Sequence, residues 1–135
     1  MAGSIAELSK YRYERALEEL KNAKEVLMTG SYKLALNRSY YAIFHAMRAV
    51  NVLDEFDSSK HSGVIAHFNQ YHVKQVILKK MLPRLCRMLW KCVNMQIMMT
   101  SLWLQKKDAE EQISKAELFL GYVKSFLMKK GITFD

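Results

Sequence analysis

Residues 37 to 46 are the most informative stretch of this 135-residue chain, and they read Asn37-Arg38-Ser39-Tyr40-Tyr41-Ala42-Ile43-Phe44-His45-Ala46. Small residues recur through and around this stretch at intervals of three and four, which is the spacing of one helix face. The repeating positions are Ala35, Ser39, Ala42, Ala46 and Ala49. Because small side chains let two helix backbones approach closely, this stripe predicts a helix that packs tightly against another helix.

The same stretch carries polar side chains that suit chemistry on a phosphate. Arg38 and His45 are two helical turns apart and share a face, but they lie about 10.5 Å apart along the axis of a continuous helix. Joint action on one phosphate therefore needs converging side chains or a second copy of the chain. His45 is the candidate acid or base, Arg38 the phosphate clamp, and Tyr41 the group that orients the phosphate. The alternative is that Arg38 and His45 make buried hydrogen bonds to other helices.

Apolar periodicity predicts an all-α chain, with a single domain over residues 1 to 135 that folds as an antiparallel up-and-down bundle of four to five helices. Gly30 and Gly131 are natural stops after two of the helices, and Ser31 is placed to cap the next one. The predicted helices run from about Ser4 to Met28, Tyr32 to Leu53, Ser58 or Ser59 to His72, and Lys107 to Lys130.

Composition narrows the choice of compartment and partner. Half of the residues are hydrophobic, and the net charge of +8 favours a polyanionic partner such as RNA, DNA or an acidic protein. The longest uncharged apolar stretch, Cys92 to Gln105, is too short and too polar to span a bilayer. No signal peptide is predicted, and two cysteines without a secretory context favour a reduced, cytoplasmic protein with no membrane association.

Three blocks of the sequence resemble HEPN-domain proteins of bacteria and archaea. Residues 37 to 46 resemble the second helix of that family, Lys60-His61-Ser62-Gly63-Val64-Ile65 its third, and Lys107-Asp108-Ala109-Glu110-Glu111-Gln112 the opening of its last. With the first helix, the resemblance covers residues 5 to 74 and 106 to 128. It implies a helical bundle that often forms a homodimer. Many relatives are encoded beside a small nucleotidyltransferase, in toxin–antitoxin pairs.

The resemblance also implies a function. Several HEPN families are metal-independent endoribonucleases with an Arg-x(4–6)-His motif, and Arg38 and His45 satisfy that spacing, although the family's active motif often lies later in the chain. The expected function is therefore a toxin-type component that binds a small nucleotidyltransferase and binds or cleaves RNA. The alternative is a noncatalytic helical domain used only for dimerisation or as an adaptor.

Further candidate residues lie at the start of the second and third helices. Asn37, Lys60 and His61 are the candidate RNA-binding residues, and His61 is placed to meet an anion at a helix start. The alternative is that His61 is a capping or loop residue. His67 and His72 give no metal-binding pattern, and Cys86 and Cys92 would point to different helix faces, so no metal and no cofactor are predicted.

Residues 75 to 105 depart from the family. Relatives usually carry here a helix that ends in Arg-x-x-x-Asp-Tyr-Asp-Asp-Phe, whereas this chain has no acidic residue between Asp57 and Asp108. The segment also holds both cysteines, both tryptophans and the only proline. Its basic run from Lys74 to Lys91 is a candidate RNA patch, unless the whole segment has an accidental origin.

A shifted reading frame is our hypothesis for the departure. When the third base of each codon is read with the first two bases of the next, Met98 and Met99 each yield aspartate, Met95 yields alanine and Trp90 yields glutamate. Compatible choices at the degenerate positions complete Ala-Asp-Tyr-Asp-Asp-Phe, which is the missing motif. We therefore predict that residues 75 to 105 come from a shifted frame. The alternative is a divergent helix with accidental codon compatibility.

Overall fold

The computed structural model describes residues 2–58, 60–72 and 106–134. These residues form helices joined by turns and contain no strand, which confirms the predicted all-α bundle. The elements are α1 (Ala2–Met28), α2 (Tyr32–Asn51), a 3₁₀ turn (Val52–Asp54), α3 (His61–Tyr71) and α4 (Lys106–Lys129). The predictions made for Cys86, Cys92, the basic run 74–91 and the segment 75–105 lie outside the described residues.

Most helix boundaries agree with the predicted ones to within two residues. The second helix ends at Asn51 and not at Leu53 as predicted, because Leu53 lies in the 3₁₀ turn that follows α2. The predicted cap of α3 at Ser58 or Ser59 is wrong, since α3 begins at His61 with Lys60 in the capping position. The Ser58 hydroxyl instead accepts a hydrogen bond from the backbone N–H of Lys60 at 3.1 Å, which shapes the loop before the helix.

Both predicted glycine stops are confirmed, and they share one geometry. Gly30 and Gly131 have φ of +83° and +90°, which is the left-handed region that glycine adopts without steric cost. After α1, the N–H of Gly30 donates to Leu27 and that of Ser31 donates to Val26, and the same pattern ends α4. This is the Schellman arrangement. Ser31 lies at the capping position of α2, but its side chain makes no capping hydrogen bond.

The small-residue stripe of α2 is the line along which α1 packs. All five of its residues are fully buried, as are Ala16 and Ala23 on α1. The Ser9 hydroxyl donates to the carbonyl of Ala49 at 2.7 Å, so the start of α1 lies beside the end of α2 and the two helices are antiparallel. The close approach that the stripe predicts is therefore present in the structure.

The last helix, α4, packs against both α1 and α2. The Tyr13 hydroxyl donates to the carbonyl of Leu120 at 2.9 Å, and its ring packs 4.9 Å from the ring of Phe134. Burial raises the pKa of Tyr13 to about 12. Phe119 packs edge-on against Phe68 of α3, with ring centres 5.5 Å apart.

None of the described helices is long and apolar enough to cross a bilayer.

Candidate functional site

The three predicted catalytic residues lie along one face of α2. Arg38, Tyr41 and His45 are all half-buried, whereas the neighbouring stripe residues are fully buried. The rings of Tyr41 and His45 have their centres 6.3 Å apart. This face therefore lies at the edge of the core, where side chains are partly shielded from water and can still meet a ligand.

His61 reaches the same face from the start of α3. Its ring centre lies 4.4 Å from that of Phe44 and 5.8 Å from that of Tyr41, and its Nδ1 is hydrogen-bonded to the hydroxyl of Tyr40. Desolvation by burial lowers the pKa of His61 below its usual value. Tyr41 thus lies within ring contact of both His45 and His61, and the structure brings together residues that the sequence assigned to two separate groups.

The other two candidate RNA-binding residues, Asn37 and Lys60, are each adjacent in sequence to a residue described above. Lys60 is exposed immediately before α3, and its carbonyl accepts the first helical hydrogen bond from Val64 at 3.0 Å. Asn37 is half-buried and precedes Arg38. Asn37 thus adjoins Arg38 of the α2 face, and Lys60 adjoins His61, which contacts that face from α3.

Arg38 has an acidic partner on α1. Its guanidinium donates to Oε2 of Glu19 at 3.1 Å. The Glu19 side chain is only 9% exposed and that of Arg38 is 40% exposed. The carboxylate is therefore the buried member of the pair, and the arginine retains access to solvent and to a ligand.

A second ion-pair group, which sequence reasoning missed, lies beside this face. Asp57 accepts hydrogen bonds from Arg12 of α1 at 2.7 Å and from Arg48 of α2 at 2.8 Å. The Nε atoms of both arginines are buried and have no hydrogen-bond partner within the described part of the chain. Arg48 follows His45 by three residues, so helical spacing could have found it, but nothing local signals Arg12.

His45 is held in its neutral form by these surroundings. Desolvation by burial, followed by the positive charges of Arg15, Arg48 and Arg12, lowers the pKa of His45 to about 4. The negative charge of Glu19 opposes the shift without cancelling it. At neutral pH the imidazole is therefore unprotonated and able to accept a proton.

A group of potential metal ligands, also missed from the sequence, lies at the other end of α3. Nε2 of His67 donates to Oδ2 of Asp54 at 3.0 Å, and Nε2 of His72 donates to the same oxygen at 2.5 Å. The three ligand atoms all lie within 4.8 Å of one another. Sequence spacing did not reveal this group, because Asp54 belongs to the 3₁₀ turn and the histidines belong to the next helix and its end.

Comparison with known proteins assigns the chain to a family. The HEPN domain family matches residues 9 to 126, which is most of the chain. The chain is also similar to a UPF0332 protein of Thermotoga maritima, at 30% identity over 118 residues that cover 87% of this chain and 89% of the relative. This chain belongs to the HEPN domain family.

Two further relatives come from Methanocaldococcus jannaschii, and both are named as candidate toxins. One is 26% identical over 133 residues, covering 93% of this chain and 90% of the relative. The other is 30% identical over 118 residues, covering 84% of each chain. The family match spans residues 75 to 105 as well, and the reading frame of that segment stays a prediction.

Proposed function

We propose that this chain is the HEPN component of a toxin–antitoxin pair, that its partner is a small nucleotidyltransferase and that its target is RNA. The observation that carries the proposal is the neutral, half-buried imidazole of His45, set among three arginines and beside Tyr41. A base surrounded by cations suits a reaction in which a hydroxyl loses a proton while negative charge grows on a phosphate.

In the proposed reaction, the ribose 2′-hydroxyl attacks the adjacent phosphorus and passes its proton to His45. The bond from phosphorus to the 5′-oxygen breaks, and that oxygen takes up a proton, which leaves a cyclic phosphate and a 5′-hydroxyl. Arg38 acts as the phosphate clamp, and Tyr41 orients the phosphate through its hydroxyl. Because protonated His45 can return its proton, it can serve as base and then as acid.

Arg38 and His45 lie about 10.5 Å apart along α2, and this distance is too long for both side chains to act easily on one phosphate. Arg48 lies one turn beyond His45 and supplies a cation in the same copy of the chain. We propose in addition that the chain is a homodimer, in which Arg38 of one copy can approach the His45 of the other. Asn37, Lys60 and His61 then extend the RNA contact towards the start of α3.

The test is RNA cleavage and binding by purified chains. His45→Ala and Arg38→Ala are expected to lower the cleavage rate at least about 100-fold, which is the usual contribution of a positioned acid–base group or charge-stabilising donor. Lys115→Ala, which removes an exposed cation on α4, is the matched control and should cleave at the native rate. Circular dichroism confirms that each variant is folded. Undiminished cleavage by folded His45→Ala protein overturns the catalytic assignment.

The second candidate function is a noncatalytic dimerisation or adaptor domain. It is favoured by one observation, namely that the arginines on this side of the bundle already have carboxylate partners within the chain. Glu19 holds Arg38, and Asp57 holds both Arg12 and Arg48. Under this function, the Arg38→Ala and His45→Ala variants lose stability, but RNA is neither bound nor cleaved by the native protein.

The partner is tested by growth of a bacterial host. Expression of the native chain alone should arrest growth. We expect a small nucleotidyltransferase gene beside this one, and coexpression of its product should restore growth. The His45→Ala variant should be harmless alone and should still copurify with the partner. Native chain that neither slows growth nor copurifies with that protein contradicts the pairing.

A further inference from the structure

We propose that Asp54, His67 and His72 form a binding site for a divalent transition-metal ion, for which Zn²⁺ is the expected occupant. The site is separate from the α2 face used in the proposed function and does not depend on it. Two imidazole nitrogens and one carboxylate oxygen form a donor set that suits zinc and other first-row divalent ions. The three residues come from two elements that follow each other in the chain, the 3₁₀ turn and α3.

The three ligand atoms lie within 4.8 Å of one another, which is near the spacing that a bound ion imposes. Ligand atoms of a tetrahedral zinc site lie about 3.3 Å apart when each bond is about 2.0–2.1 Å. Nε2 of His67 is already 3.0 Å from Oδ2 of Asp54. Nε2 of His72 lies 2.5 Å from the same oxygen, so its ring would have to withdraw by about 0.8 Å to admit the ion.

The two imidazoles are held with Nε2 directed at Asp54. The His67 ring is stacked on Phe56, with centres 4.1 Å apart and planes inclined by 9°, and it also contacts Tyr71 at 4.6 Å. His72 is only 5% exposed, and its Nδ1 is buried without a hydrogen-bond partner among the described residues. Its polar contact in this part of the chain is therefore made through Nε2.

The ligand atoms open into a pocket of about 530 Å³, which leaves room for water as a further ligand. The pocket is lined also by Leu53, Tyr71, Phe126 and Lys130. The positive charge of Lys130 opposes a bound cation, and the carboxylate of Asp54 offsets it. An ion here would tie the 3₁₀ turn to the end of α3 and stabilise the folded state.

The competing explanation is a hydrogen-bonded triad without metal, in which both imidazoles donate Nε2–H to one carboxylate oxygen. The first experiment separates the two in the unaltered full-length chain. Zn²⁺ is added while the imidazole ring signals of all four histidines are followed by NMR. We expect stoichiometric changes at His67 and His72, with His45 and His61 unchanged. No change at His67 and His72 in excess Zn²⁺ overturns the proposal.

The second experiment measures Zn²⁺ affinity by calorimetry in variants. Loss of an outer hydrogen-bond partner alone weakens metal binding about 10- to 100-fold, so Asp54→Asn and His67→Gln should each weaken it by at least that factor. His61→Gln is the control, since it removes a histidine outside the group. Affinity that is unchanged in folded Asp54→Asn protein, or that disappears when Cys86 and Cys92 are replaced by serine, assigns the ion to another site and overturns the proposal.

Discussion

The guanidinium of Arg38 donates to the carboxylate of Glu19 across 3.1 Å, and Glu19 is the more buried of the two. From its place in the sequence, Arg38 was expected either to clamp a phosphate or to make a buried hydrogen bond to another helix. The structure supplies a carboxylate from α1. Since Arg38 remains 40% exposed, this pairing leaves it available to a ligand that can compete with Glu19.

The first prediction concerns this pair. Arg38→Met should destabilise the fold more than Glu19→Gln, by about 1–3 kcal/mol, because it leaves a buried carboxylate without a counter-charge. The double variant should lose less stability than the two single changes combined, as expected for residues in contact. Urea unfolding of the four proteins measures this coupling, and strictly additive losses would show that the pair is not coupled.

Glu19→Gln also separates the two candidate functions. If Arg38 clamps phosphate, removing its internal competitor should strengthen RNA binding severalfold, as measured by fluorescence anisotropy. If Arg38 only stabilises the folded state, the affinity for RNA should be the same in the Glu19→Gln variant and in the native chain. Glu117→Gln on α4, whose partner is Lys24, is the matched control because it removes an equal charge from a different helix.

The second prediction is a pH dependence of stability that arises from His45. Its pKa is about 4 in the folded chain and about 6.5 when unfolded, so the unfolded state binds more protons between these values. Stability is therefore complete above pH 6.5 and is lost as the pH falls through 6.5 towards 4. The full pKa difference corresponds to about 3 kcal/mol, and solvent screening of this half-buried ring reduces the loss to about 2 kcal/mol.

His45→Gln should flatten this part of the stability profile, because glutamine does not titrate. Denaturant unfolding at a series of pH values, compared between the native chain and the variant, isolates the contribution. An NMR titration of the His45 ring provides an independent value. A His45 pKa near 6.5 in the folded protein contradicts both the prediction and the role assigned to the surrounding arginines.

The third prediction concerns the salt dependence of RNA binding. Arg12 and Arg48 lie close enough to His45 to lower its pKa, and their side chains are 14% and 18% exposed. If each contacts a phosphate, replacing one with methionine should weaken binding to single-stranded RNA and reduce the slope of log K against log salt by about 0.7. Lys115→Ala should leave the slope unchanged, and equal slopes for all three variants and the native chain exclude the contact.

The fourth prediction tests the small-residue stripe. Ala46→Leu should destabilise the protein by about 1–3 kcal/mol or more, because the added atoms would separate α1 from α2. Leu34→Ala, at a position on α2 that is 42% exposed, should change stability by no more than about 0.5 kcal/mol. Chemical unfolding measures both, and a tolerated leucine at position 46 would falsify the close packing.

The fifth prediction concerns the gene. Resequencing across the codons for Val73 to Asp108 should restore an acidic Asp-Tyr-Asp-Asp run in place of residues 96 to 99. The corrected chain then carries the usual family motif, and the basic run from Lys74 to Lys91 loses its functional meaning. If resequencing leaves the sequence unchanged, the divergent, methionine-rich segment is the true translation of the gene. Its basic residues then become the next candidates for RNA contact.

The sequence predicted those features that arise within one helix. The spacing of Ala35, Ser39 and Ala42 identified the packing face, and Gly30 and Gly131 identified the helix ends, because helical periodicity and left-handed stops are local properties. The common face of Arg38, Tyr41 and His45 followed from the same periodicity.

The features that the sequence missed all join separate elements. Glu19 meets Arg38 across the α1–α2 contact, and Asp57 meets Arg12 after the chain has turned through a loop. Ser58 looked like a cap, but the loop geometry places Lys60 there instead. Such contacts depend on how helices are rotated and how loops close, which one-dimensional spacing does not specify.

The tight turn at Gly30 has a consequence for the order in which the chain folds. It joins α1 to α2 through residues 29 to 31, so the buried alanine stripe and its partners on α1 are brought together by neighbouring segments. Contacts of short sequence separation form early because little chain entropy is lost in closing them. The α1–α2 hairpin is therefore expected to be the folding nucleus, on which α4 docks later through Tyr13. A nucleus completed by residue 51 does not require residues 75 to 105 to form.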